Sequence, residues 1–141
     1  NFKKIKSKKI FDENFFLYFE EFDFCQKLKR KNEIVYLCKS LKIKHLGFKS
    51  SNLNVQGFKS DSEKLRNWHW MWSQFYYYKK NYGYFTAVMR SIGKLLKSVF
   101  KIFIYQIIFD QQNKNKYIYR SLGLVNSMLG CKSYYRGKFF N

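Results

Sequence analysis

Apolar side chains recur every three or four positions in four stretches of this chain, and the residues between them carry the charges that start and stop helices. In the first, Glu21 to Lys31, Phe24, Cys25 and Leu28 form one stripe, with acids in the opening turn and Lys27, Lys29, Arg30 and Lys31 in the last. That order complements a helix dipole, and Asn32 ends the helix. The next segment, Glu33 to His45, is rich in β-branched and aromatic residues with partial alternation, which predicts one or two short strands. The run from His45 to Gly57 reads as a loop. Ser60-Asp-Ser-Glu63 has capping-box spacing, and a second helix is predicted from there to the breaker Gly83.

The third helix, about Tyr84 to Phe109, is the most regular element. Arg90, Lys94, Lys97 and Lys101 follow one another at intervals of four, three and four, which stacks them on one face. Met89, Ile92, Leu96, Val99, Phe103 and Ile107 cover much of the remainder. A cationic amphipathic helix of this kind suits an anionic membrane surface as well as a solvated protein face. Lysines interrupt its apolar runs, so it does not read as a membrane span. Asp110 to Lys116 is read as a polar connector, and a last short helix ends at Gly130. The second helix carries Trp68, Trp70, Trp72, Phe75 and three tyrosines. Trp68 and Trp72 are candidate contacts for an acceptor sugar or a membrane, against the plainer reading of core packing.

The chain has 141 residues, enough for a modest core, and 28 Lys+Arg against 9 Asp+Glu. The resulting charge of +19 favours polyanionic surfaces. A chain rich in Lys, Asn, Ile, Phe and Tyr with a single Ala and no Pro is also what an AT-rich coding sequence produces. That accounts for the total charge but not for its placement. Three cysteines, Cys25, Cys38 and Cys131, share no C-x-x-C spacing, which points away from a disulfide framework or zinc cluster and toward a reducing cytoplasm.

Against this basic background, Asp12, Glu13, Glu20, Glu21 and Asp23 are gathered into the stretch FDENFFLYFEEFDFC. They either open a helix or form a reaction centre. This stretch, followed by Lys27-Leu28 and then by His45-x-Gly-x-x-Ser50, closely resembles the C-terminal half of family 2 glycosyltransferases, the rhamnosyltransferase-like enzymes of polysaccharide assembly. The resemblance spans residues 10 to about 51 and continues loosely through WMWSQFYYYKKNYG and LGLVNSMLGCKSYYRG. It implies an α/β fold of the GT-A type, represented by its C-terminal portion in residues 1–58, with a basic, aromatic helical extension in 59–141. The nucleotide-binding half, with its D-x-D motif, is expected upstream, and this piece alone is expected to be inactive.

The resemblance further implies that Glu21 is the catalytic base, with Glu20 and Asp23 beside it. A carboxylate there would take the proton of an acceptor hydroxyl as its oxygen attacks the anomeric carbon of a nucleotide sugar. Glu stands where many members have Asp, and Lys27 where Arg is commoner. His45 is implied as a contact for a divalent metal, Mg or Mn, that holds the diphosphate. The expected partners are a nucleotide-sugar donor, a saccharide or lipid-linked acceptor and the inner face of the cell membrane, with no nucleic acid. The alternative is a non-catalytic basic protein that binds nucleic acid or the ribosome, which requires basic residues interleaved with exposed aromatics on one surface.

Overall fold

A computed structural model describes residues 10–36, 38–44 and 56–137. Four helices occur among the described residues: α1 Glu20–Arg30, α2 Gln56–Tyr82, α3 Tyr84–Ile107 and α4 Gln111–Met128. No strand occurs among the described residues, so the α/β expectation is corrected to an all-helical architecture. The described part of the segment read as strands, residues 33–36 and 38–44 of Glu33 to His45, runs as turn and coil, with Tyr36 82% and Ile43 90% exposed. Its β-branched residues have no neighbouring strand to take their backbone hydrogen bonds, and propensity alone does not make a strand.

The first helix follows the sequence expectation closely. Lys27, Lys29 and Arg30 occupy its last turn. Asn32 ends it with a left-handed backbone (φ 55°), while the amide of Glu33 returns to the carbonyl of Leu28 at 3.0 Å. The second helix starts at Gln56, ahead of the capping box, so Ser60 to Glu63 lie within the helix rather than at its cap. It meets α3 at a single residue, Gly83, whose φ of 89° reverses the chain between two long helices. Asp110, read as part of a connector, instead caps α4, its carboxylate accepting from the Asn113 amide at 2.9 Å.

Helices α2, α3 and α4 pack on one another around Met71, Phe75, Ala87 and Leu124, with Tyr78, Val88, Leu95 and Met128 against them. Gly123 allows α4 to cross α2 closely, since a β-carbon there would fall on the Trp68 carbonyl. The residues that α3 buries fully are small, Ala87, Ser91 and Ser98, with Val88 and Leu95 partly buried beside them. Its large apolar residues point away from the bundle: Phe85, Met89, Leu96, Phe100, Phe103 and Ile107 are each more than 60% exposed. The sequence pattern correctly separates cations from apolar residues. It does not show that the core takes a third sector of the helix.

Candidate functional site

The acidic stretch is tied to α2 by a face of that helix repeating at helical intervals. Ser73 Oγ donates to the carbonyl of Leu17 at 2.7 Å, and Tyr76 Oη donates to Asp12 Oδ2 at 3.1 Å. Lys80 Nζ bridges Asp12 Oδ2 at 2.6 Å and Asp23 Oδ2 at 2.7 Å. Asn81 donates to the other oxygen of Asp23 at 3.1 Å, and Lys27 approaches the same carboxylate at 3.3 Å. Burial pushes the Asp12 carboxyl up, but hydrogen bonds from Lys80 and Asn14 outweigh it and bring it down to about 2. The Lys80 ammonium is opposed by burial yet held above its ordinary range by the two aspartates. Neither Lys80, Asn81 nor Ser73 stands out in the sequence, since each is an ordinary polar position on an aromatic helix.

The same face reaches the chain's C-terminal segment. Trp72 Nε1 donates to the Cys131 carbonyl at 3.0 Å, and Ser133 Oγ donates to the Asn14 carbonyl at 2.8 Å. His69 Nε2 lies 2.7 Å from the Tyr135 carbonyl, which can only accept, so the proton sits on Nε2. Its Nδ1 is buried without a partner. Burial is the main cause that brings the imidazole down to about 4, aided by nearby Arg136 and opposed by the Tyr135 hydrogen bond.

Tyr18 and Phe19, just before α1, both have left-handed backbones, with φ of 66° and 69°. Two successive aromatic residues in this region are costly, on the order of 1–3 kcal/mol each. The turn they make is fixed by burial of Phe19 beneath Trp70 and Tyr77. Within α1, helical rotation of about 100° per residue points the three acids in different directions. Asp23 is 1% exposed inside the Lys80 knot. One carboxylate oxygen of Glu20 is buried without a hydrogen bond. Glu21 is exposed, at the first turn of a helix whose N-cap residue supplies no side chain to it.

The remaining sequence candidates separate clearly. Trp68 and Trp72 are each 2% exposed and parallel, 6.5 Å apart, so they are core residues and not surface contacts for a sugar or a lipid. The exposed tryptophan of α2 is Trp70, at 41%. Arg90 sits 5.0 Å over the ring of Tyr78, Lys94 donates to Gln74 of α2, and Lys101 lies 5.6 Å from the ring of Tyr105. These cations and the exposed Lys97 share one side of α3. His45 lies outside the described residues.

For a divalent metal, the described residues supply no group of three His, Cys, Asp or Glu. The most buried carboxylate of the cluster, Asp23, already faces two ammonium groups. The described residues do not by themselves fit a cation. No helix among the described residues is long and apolar enough to cross a membrane. Compared with family models, with curated proteins and with solved structures, the chain has no match.

Proposed function

We propose that the chain serves inverting glycosyl transfer from a nucleotide sugar to a saccharide or lipid-linked acceptor, with Glu21 as the base. The observation that carries this reading is the strained Tyr18–Phe19 turn, which leaves Glu21 exposed at a helix start while Asp23 is held inside by Lys80. Backbone strain beside an unpaired carboxylate has a purpose if that carboxylate must meet a substrate. The spacing of FDENFFLYFEEFDFC, which resembles that of family 2 glycosyltransferases, supports the same assignment. As the acceptor oxygen bonds to the anomeric carbon, its proton passes to Glu21, and the diphosphate leaves from the opposite face with the electrons of the broken bond. Asp23, Lys80 and Asp12 hold α1 on α2 and so keep Glu21 in position.

The expected location is the cytoplasmic face of the membrane, where the exposed apolar ridge of α3 enters the interface and its cations meet anionic headgroups. The test of the chemistry is transfer of labelled sugar by the full-length protein. Glu21→Gln should lower turnover by roughly 100-fold or more with donor affinity kept. Turnover equal to that of the unsubstituted protein would remove Glu21 from the mechanism.

A further inference from the structure

Three cavities adjoin along the line where α2 meets α4 and the cationic side of α3. The central one, about 310 Å³, is walled by Tyr18, Arg66, Asn67, Trp70, Lys116 and Arg120. A second, about 390 Å³, shares Asn67 and Lys116 with it and adds Lys59 and Lys64. The third, about 270 Å³, shares Trp70 and Arg120 and adds Lys94, Lys97 and Tyr117. Helical spacing brings these groups to one trough: Glu63, Asn67, Trp70 and Gln74 follow one face of α2, and Gln112, Lys116 and Arg120 one face of α4.

The walls combine two kinds of recognition. Trp70 offers a half-exposed ring face, steadied by Tyr18 at 5.2 Å and Phe19 at 5.5 Å. Around it stand Gln112 and Glu63, planar polar groups that can pair with adjacent hydroxyls, while the Asn67 amide is engaged by Arg120 and the Glu63 carbonyl and the Asn113 amide by Asp110. An aromatic plate bordered by an amide and a carboxylate suits a pyranose ring, whose faces are apolar and whose rim is polar. The charges are then in excess of what a neutral sugar needs. Among the described residues, Lys116 and Arg120 line the central cavity together with Arg66 and one acid, Glu63, and the third is lined by Lys94, Lys97 and Arg120 with no acid. Arg120 is anchored through Nε to Asn67 Oδ1 at 3.0 Å, and Arg66 through Nε to Tyr18 Oη at 3.1 Å. Both guanidinium groups are thus pre-oriented, the condition under which arginine binds phosphate or carboxylate well.

We propose that this trough is the acceptor site and takes an anionic saccharide, its ring on Trp70 and its phosphate met by Arg66, Lys116 and Arg120. The assignment of an acceptor role rests on the glycosyltransferase reading; the binding itself does not. Tyr18, which walls the central cavity, lies three residues before Glu21, so a saccharide held there would approach the strained turn. Lys94 and Lys97 line the far end of the trough, on the cationic side of α3.

The test is calorimetric titration of the full-length protein with a soluble disaccharide 1-phosphate, the same neutral disaccharide, inorganic phosphate and a thymidine oligonucleotide. The phosphorylated disaccharide should bind at least tenfold more tightly than the other three. Lys116→Glu, at an exposed position, and Trp70→Ala should each weaken that binding at least tenfold, while Glu21→Gln should leave it unchanged. A polyprenyl diphosphate disaccharide in neutral nanodiscs distinguishes the sources: tighter binding than the soluble ligand assigns a lipid carrier, equal binding a soluble sugar phosphate. Equal affinity for inorganic phosphate, preference for the oligonucleotide, or a Lys116→Glu protein that binds as before would overturn the proposal. Normal transfer by Glu21→Gln alongside loss of binding in the trough variants would defeat the base assignment and leave the site standing.

Discussion

Two titratable side chains on one face of α2 and its partner segment give the molecule separate acid sensitivities. His69 is fully buried among Phe16, Trp68 and the Tyr135 carbonyl, and its folded value, about 4, lies below the ordinary 6.5. The unfolded chain therefore takes up the proton first as pH falls, so stability present above 6.5 is lost progressively between about 6.5 and 4. Asp12 acts in a lower window: its stabilisation is intact above 3.8 and lost toward about 2. Urea midpoints measured at pH 7 and pH 4.5 should fall for the unsubstituted protein, and His69→Phe should flatten most of that slope whatever it does to absolute stability. An unchanged slope would show that another group sets acid sensitivity in this range.

At the scale of elements, two glycines make opposite predictions. Gly123→Ala would drive a β-carbon into the Trp68 backbone and force α4 off α2, a cost of about 1–3 kcal/mol. Gly93→Ala, in the interior of α3 with nothing within 4 Å, should stabilise by about 0.5–1 kcal/mol. Thermal unfolding of the two variants should move in opposite directions, and a stabilising Gly123→Ala would contradict the close crossing. From sequence, both glycines are merely tolerated residues in helical runs. The Asp110 cap has the opposite history: a polar stretch that reads as a connector becomes the first turn of α4 because its aspartate accepts the Asn113 amide.

For the molecule as a whole, the outward ridge of α3 is the feature with the largest consequence. The helix has four cations and no acid, so a second copy laid against it would bring like charges together, whereas anionic lipid would not. Each cation near such a surface contributes on the order of 1 kcal/mol, and four together about a thousandfold in affinity. Replacing Arg90, Lys94, Lys97 and Lys101 by Gln should reduce co-sedimentation with phosphatidylserine vesicles by that order, and added salt should weaken the unsubstituted protein in the same direction. Leu96→Ser with Phe103→Ser should weaken it as well, by removing exposed apolar area. Sedimentation unaffected by either set would take the membrane away from this helix.

The sequence by itself determined the periods. Helix α1 with its Asn32 stop, the break at Gly83, and the four cations on one side of α3 follow from spacing and from local backbone chemistry, which neighbouring residues settle among themselves. It also singled out the acids of α1, though not their fates. Whether Asp23 turns in and Glu21 out depends on Lys80, 57 positions from Asp23. Which tryptophan of three stays exposed depends on where α4 and residues 131–135 lie against α2. The described residues of the segment after α1, 33–36 and 38–44, have strand composition without a strand, because a strand is completed only by another strand. Only the tertiary structure decided which sector of α3 faces the core: close packing of three helices selected the small residues Ala87, Ser91 and Ser98, and so turned the large apolar ones outward.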